Sequence, residues 1–487
     1  MPGNPAWRTT LRRLAGPCAV LLALCSCAVG PDYRRPDVAG ITPAGWRWKP
    51  AEPHDAVPKG EWWTVFGDPV LDGLESDAVS GSPNVRAAVA RVDQARAAAR
   101  IPRSRLFPEL SLSPSLRRER TSDNPPTPVP LDVPSAHLTT YSVPLDMSYE
   151  VDLWGRVRRS MEAAQAEAQA SVSEYQNVLL TLTADVAVNY FLVRSLDAEI
   201  AALRRIVALH NETARILEER WKQGALPESD AAQAKTELAS ARSDLADALL
   251  RRAETIHALA LLCGKPAGSF EIAFREETRS PPAVPAGLPS SLLERRPDIA
   301  RAERTLAAGS ARIGVARAAY FPALRLTGQA GFLSAEAGKL FSADSTIWSI
   351  GPSVSLPLFT AGRTAAEVEQ AEASYEEALA EYRQTVLAAF REVEDALAQI
   401  VLRNEQAAAQ ADALASAGRV AQLARARYEA GVVSYLEPVD AERNLLRQEV
   451  RQAALAGQRF AASVRLIKAL GGGWEGTETG ISGRTGR

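Results

Sequence analysis

From Arg156 to Lys222 the chain contains neither Pro nor Gly. Either residue weakens or breaks a helix interior, so the stretch reads as one uninterrupted helix. Its apolar and Tyr positions are Met161, Ala164, Ala168, Val172, Tyr175, Leu179, Leu182, Val186, Tyr190, Val193, Leu196, Ile200, Leu203 and Val207. They recur about every 3.5 residues, the period of a coiled-coil seam. At a rise of 1.5 Å per residue the rod is about 100 Å long. A compact soluble domain has no use for such a rod; an element that crosses a compartment does.

The rod occurs twice. Arg220-Trp221-Lys222-Gln223-Gly224 is echoed 207 residues later by Arg427-Tyr428-Glu429-Ala430-Gly431. Trp154-Gly155-Arg156 and Leu262-Cys263-Gly264 are echoed at the same offset by Ala361-Gly362-Arg363 and Ala469-Leu470-Gly471. Upstream, Pro83-Asn84-Val85 matches Pro297-Asp298-Ile299 and Phe107-Pro108 matches Phe321-Pro322 at an offset of 214. The first copy therefore carries a seven-residue insertion between 108 and 155. The seam is kept in the second copy by Val368, Ala371, Tyr375, Leu379, Tyr382, Val386, Ala389, Val393, Leu397 and Ile400. Each copy reads helix, strand, loop, strand, long helix, turn, helix. The turns are Gly224-Ala225-Leu226-Pro227 and Gly431-Val432-Val433-Ser434. Gly supplies the left-handed conformation that ends a helix, and Ser434 is suited to cap the return helix.

The strand candidates alternate. In one, Tyr141, Val143, Leu145, Met147, Tyr149, Val151 and Leu153 share a face opposite Ser142, Asp146, Ser148, Glu150 and Asp152. Leu324, Leu326, Ala330 and Phe332 oppose Arg325, Thr327 and Gln329, and Trp348, Ile350, Val354, Leu356 and Leu358 oppose Ser349, Ser353 and Ser355. The remaining candidate, Leu110 to Ser113, is interrupted by Pro114. The pattern fits transmembrane β-strands and equally an amphipathic hairpin on a soluble core. A sheet in hydrocarbon must close, and four strands cannot. Membrane strands thus require several chains to share a barrel: two would give eight strands and three would give twelve.

The N-terminus reads as an export signal: Arg8, Arg12 and Arg13 precede an apolar run too short to span a bilayer. Leu24 and Ser26 stand at −3 and −1 before Cys27, as in a bacterial lipoprotein box, and Ala28 is not the Asp of inner-membrane retention. Only Cys263 would remain as a free thiol in the mature chain, read as a buried small side chain. Lys plus Arg is 56 and Asp plus Glu is 58, for a net charge of −2, so the dense basic field that nucleic acid needs is missing. The four His, at 54, 137, 210 and 257, have no metal-ligand spacing. Neither a phosphate loop nor a nucleophile elbow is found, so the chain does not read as an enzyme and implies no cofactor.

Several stretches resemble the outer-membrane factor family, the TolC-like efflux channels, in its NodT/OprM-like lipoprotein branch. They are Cys27 to Pro36, Phe66-Gly-Asp-Pro-Val-Leu71, Tyr149-Glu-Val-Asp-Leu-Trp-Gly-Arg156, Leu292-Leu-Glu-Arg-Arg-Pro-Asp-Ile299 and Ala311 to Pro322. The resemblance implies a mainly α chain with a transmembrane β part and two structural repeats. As a homotrimer it forms a 12-stranded β-barrel and a periplasmic α-barrel. It implies the outer membrane channel of a tripartite efflux system, a passive exit duct for drugs or other small molecules. Its partners would be a periplasmic adaptor (membrane fusion protein), an inner-membrane pump of the resistance-nodulation-division class and outer membrane lipid. The alternatives are a type I protein secretion channel and a structural periplasmic coiled-coil lipoprotein.

The corresponding domains are a signal peptide at 1–26, a lipidated strap at 27–65 and a first repeat at 66–264. A linker at 265–290, a second repeat at 291–470 and a flexible tail at 471–487 follow. Cys27 would carry the lipid on a Gram-negative outer membrane. The family's gate pattern falls on Gly431 to Arg443, placing Leu436, Asp440 and Arg443 at the aperture, with a departure at Pro438. In the first copy the gate positions become Ser229, Gln233 and Thr236, so the charged ring comes from one hairpin alone. Adaptor docking falls on Gly224, Ala225, Leu226, Gly431, Val432, Val433 and Ser434. The Pro-rich run from 122 to 135 would be the extracellular loop of the first β-hairpin, and Trp62 and Trp63 would pack on the helices.

Overall fold

The structure is a computed structural model that describes residues 28–36, 60–120, 122, 137–276, 279–282, 296–434 and 436–472. The residues read as a signal peptide, Cys27, most of the run read as an extracellular loop, residues 292–295 of one motif, Tyr435 and residues 473–487 of the segment read as a tail lie outside the described residues.

The helices are α1 (Pro69–Gly81), α2 (Pro83–Ser104), α3 (Arg156–Lys222), α4 (Glu228–Leu262), α5 (Pro297–Ala318), α6 (Arg363–Glu429) and α7 (Leu436–Ala469). The strands are β1 (Glu109–Leu112), β2 (Ser115–Arg120), β3 (His137–Val151), β4 (Ala323–Ser334) and β5 (Thr346–Ser355). The first rod has the bounds that its Pro- and Gly-free stretch sets, the second keeps the same length with Gly418 in its interior, and each is 67 residues long. Part of α3 is apolar and long enough to cross a bilayer, but 61% of that window is buried in protein, so it is a packing helix. The chain divides into two compact units: residues 1–37, 92–171 and 302–382 form one, and 38–91, 172–301 and 383–487 the other.

The first unit holds an antiparallel sheet of order β1-β3-β4-β5, with β2 also paired to β3. The interrupted first strand is thus two strands on one neighbour. Pro114 has no N–H to donate, so the ladder lapses there and resumes at Ser115. Directly paired residues share a face, and the register gives that face Leu112, Leu145 and Ala330 in one row and Leu110, Met147, Gly328 and Ile350 in the next. Tyr149 with Leu326 and Val151 with Leu324 and Val354 extend it. Trp348, Ile350 and Val354 on this face are 77%, 77% and 69% exposed in the single chain. The opposite face carries Asp146 bonded by Gln329 at 2.9 Å, together with Ser148, Thr327 and Glu150.

Below the strands, the motif Glu150 to Arg156 forms a joint. Asp152 accepts from the amides of Val157 and Arg158, both at 3.0 Å, and so caps α3. Arg156 donates to Glu150 at 2.8 and 2.6 Å. Trp154 donates to the Pro322 carbonyl at 2.8 Å and stacks on Phe321, joining the two Phe-Pro/Trp-Gly signatures. The N-terminal strap fastens here: the Val29 amide donates to the Trp154 carbonyl at 2.9 Å, Asp32 pairs with Arg159 at 2.6 Å and Arg35 with Glu303 at 3.0 Å. A Cβ on Gly30 would meet the Cα of Gly314 at 2.4 Å, so the strap lies on α5 only because both positions are Gly.

The second unit has the main apolar core, built from Trp62, Phe66, Leu71, Leu74, Val186, Tyr190, Phe191, Leu259, Phe460 and their neighbours. Trp62 is buried there and donates to Thr183 Oγ1 at 3.1 Å. Asp68 caps α1 through Val70 N at 3.0 Å, and also accepts from Tyr190 at 2.7 Å, from Arg279 at 2.9 Å and from Arg275. Burial alone would raise its carboxyl, but the bonds from Tyr190, Arg275 and Val70 hold it below its ordinary 3.8. Arg296 reaches Asp298, the Ala469 carbonyl and Glu392 in a similar joint. Cys263 is a buried free thiol. The seam of α3 is buried from Leu182 to Leu203, but before it Ala163, Ala166 and Ala170 are buried instead, since small residues let helices approach more closely.

Candidate functional site at the hairpin tips

Both rods end in the same way. Gly224 and Gly431 have φ of 70 and 72, in the left-handed region. At the first tip the Ala225 amide donates to the Arg220 carbonyl and Gly224 to Trp221, both at 2.8 Å; at the second, Val432 donates to Arg427 and Gly431 to Tyr428, both at 2.9 Å. This paired closure satisfies carbonyls that a helix end otherwise leaves open. At the second tip Ser434 contributes its carbonyl, which accepts from the Glu437 amide at 3.2 Å, and Arg427 pairs with Glu437 at 2.6 Å. Pro438 sits in the first turn of α7, where no intrahelical N–H is missed, and is buried beside Val439. The departure from the family pattern therefore leaves α7 unbroken. Val432 is 67% and Leu436 48% exposed, so the tip presents apolar side chains to its surroundings.

About two turns into α7, Arg443 pairs with Asp440 at 2.8 Å and with Glu237 of α4, also at 2.8 Å. The second oxygen of Glu237 lies 3.6 Å from Nδ1 of His210, a buried residue of α3. Burial holds the His210 imidazole below its ordinary 6.5; Glu237 pulls it up, while Arg443 and Arg447 push it down. Three helices thus meet at one carboxylate. In the first copy Ser229 bonds its neighbour Asp230, Thr236 bonds the Ala232 carbonyl and Gln233 reaches Glu237, with no ion pair among them.

Sequence reasoning missed Glu237 and His210. A signal was present: 207 residues on they become Asn444 and Ala417, so both are charged or titratable in one copy only. Among the described residues, no group of three or more His, Cys, Asp and Glu is placed to hold a metal ion.

Known proteins resemble this chain over most of its length. The family model for outer membrane efflux proteins matches residues 74–265 and 288–472. The toluene efflux pump outer membrane protein TtgF of Pseudomonas putida is 33% identical over 471 residues, spanning 94% of this chain and 96% of TtgF. The pyoverdine export outer membrane protein OpmQ of Pseudomonas aeruginosa is 34% identical over 471 residues, spanning 95% and 97%. The solved channel OprN superposes with a TM-score of 0.79 at 29% identity, over 92% of this chain and all of OprN. The open MtrE channel of Neisseria gonorrhoeae gives 0.78 at 30% identity, over 92% and 98%. The duplicated rods, the antiparallel sheet and the matched tips, together with these likenesses over both repeats, show that the chain belongs to the outer membrane efflux protein family and is the outer membrane channel of an efflux pump.

Proposed function

We propose that three copies form a passive exit duct whose closed end is held by Leu436, Asp440 and Arg443. The observation that carries this is the double pairing of Arg443 with Asp440 and Glu237. It ties the start of α7 to the first hairpin while leaving Leu436 exposed. Around a threefold axis, three Leu436 side chains would form an apolar ring and three Asp440 carboxylates an acidic one. Like charges converging there repel, and Arg443 offsets part of that repulsion. Opening then requires breaking the Arg443–Glu237 salt bridge of each chain rather than any chemistry in this protein. The driving energy comes from an inner-membrane pump of the resistance-nodulation-division class.

The exposed tip residues Gly224, Ala225, Gly431, Val432 and Ser434, with Leu226 and Val433, would seat the periplasmic adaptor. Cys27, one residue before the fastened strap, would bear the lipid. The cargo is small organic molecules, in keeping with relatives named for toluene and pyoverdine.

Planar-bilayer conductance tests the gate. Leu436→Ala, Asp440→Ala and Glu237→Gln should each raise the open-channel current over wild type. If all three conduct as little as wild type, the gate lies elsewhere.

A further inference from the structure

Within the chain, α7 of the second repeat is fastened along α3 of the first. Gly457 of α7 lies so close to α3 that a Cβ added to it would meet the Ser195 Cβ at 2.5 Å. Ser195 Oγ donates to the Ala453 carbonyl at 2.9 Å. Nearer the tips, Arg205 of α3 pairs with Glu449 of α7. The first rod thus receives the return helix of the other repeat along one stripe.

The 207-residue register carries each contact of this joint onto a second pair of residues, one on α6 and one on α4. Ser195 becomes Leu402 and Gly457 becomes Leu250. Arg205 becomes Asp412 and Glu449 becomes Arg242. Two small residues in contact are replaced by two large apolar ones, and the ion pair exchanges its signs, so the attraction is kept. Leu250 and Leu402 are 56% and 61% exposed, so neither is covered within one chain. Arg242 and Asp412 are exposed as well. Arg242 donates to Asn211 at 3.3 Å, and Asp412 has no ion partner among the described residues. A single exposed Leu is ordinary, but two that occupy equivalent positions of one joint, with an exchanged charge pair about three turns away, form a matched surface.

We propose that α6 of one copy receives α4 of the next copy along this stripe, with Leu402 on Leu250 and Asp412 on Arg242. The joint within the chain and the joint between chains are then variants of one contact. Such a head-to-tail contact closes into a ring when its rotation allows. The inference deepens the three-copy duct and rests on it. The full-length protein carrying Leu250→Cys with Leu402→Cys, on Cys263→Ala, is purified in detergent and treated with a short bismaleimide. Denaturing gels should show covalent dimers and trimers as the main species. Either cysteine alone should leave monomer. Leu250→Cys with Leu423→Cys, about 30 Å farther along α6, should also leave monomer. Absence of linked species, or equal linkage through Leu423→Cys, overturns the proposal. Should the cysteine chain fail to assemble, charge exchange decides. Arg242→Asp and Asp412→Arg should each lower the temperature at which trimers dissociate by several degrees, and the two together should restore it. Unchanged single variants, or no restoration, overturn the proposal. Light scattering of the wild-type protein counts the copies separately. Three copies without linkage sink this inference only, while a single copy sinks the duct reading itself.

Discussion

The helices α3 and α6 have the same length and related seams, 207 residues apart, yet their burial differs. In α3, Val186, Tyr190, Phe191, Val193 and Ile200 are at most 1% exposed. Their counterparts in α6 are Val393, Leu397, Ala398, Ile400 and Ala407, of which only Val393 is buried. Beside them Val401 and Leu402 are 56% and 61% exposed, and Val420 and Leu423 are 54% and 46%. The first rod is surrounded by partners from other parts of the chain: Trp62 and Phe66 precede it, and Phe460 of α7 stacks on Phe191 at 4.2 Å. The second repeat leaves a second apolar strip uncovered. A duplicated unit can therefore keep its helix length and period while one copy becomes core and the other becomes surface for a neighbouring chain.

The sharpest way to break this comparison is a pair of truncations. Phe191→Ala should cost about 4 kcal/mol of stability and Leu397→Ala about 1 kcal/mol, read by denaturant unfolding of the purified protein. Equal costs would mean that the two rods are equally supported.

A second prediction uses a burial of the first repeat alone. Glu75 on α1 is fully buried, and its counterpart in the register is Pro289. Burial, with Asp72 nearby, pushes its carboxyl up to about 9 from 4.5. The folded chain holds this proton where the unfolded chain has lost it, so stability falls as pH rises from about 4.5 toward 9. Glu75→Gln should raise the melting temperature at pH near 8 by a few degrees and leave it unchanged near pH 4. An equal shift at both pH values would refute the buried proton.

The uncovered strip of α6 makes a third. Leu402→Ser with Leu423→Ser should leave the helical signal of the chain intact and weaken trimer migration on unheated gels. Each apolar side chain removed from an interface loses about 1 kcal/mol or more. If trimers persist unchanged, the strip is not the protomer contact.

The smallest effect is expected at His210, whose counterpart is Ala417. Its imidazole is held below 6.5, so as pH falls through about 6.5 the unfolded chain takes up the proton first and stability declines. His210→Gln should flatten that acid limb by well under about 1 kcal/mol in thermal melts from pH 7 to 5. A slope identical to wild type would show that His210 does not titrate in this window.

Much of the architecture was legible because its signals are local. The absence of Pro and Gly fixed the first rod and the 207-residue repeat fixed the second, Gly at the helix ends fixed both tips, and period-two alternation fixed the sheet faces. Pro114 was read as an interruption, but its outcome, two strands sharing β3 as neighbour, depends on a partner that sequence does not reveal. The family motifs were legible as residues but not as roles. Asp68, Asp152 and Arg296 prove to be joints that cap helices and bind loops. At the candidate gate, Asp440 and Arg443 were legible through their i, i+3 spacing and the family pattern. Glu237 and His210 were not, because they lie on other helices.

The sequence by itself determined the helix lengths, the 207-residue duplication, the tip turns and the two-faced strands, since each depends on backbone preference or on periodicity within a few residues. Only the tertiary structure decided which rod is core, that Gly30 lies on Gly314, that Arg443 is shared between two carboxylates, and that β1 and β2 share β3 as their neighbour. Those outcomes depend on pairing between residues far apart in the chain, where strand register and helix packing, rather than local propensity, select the partner.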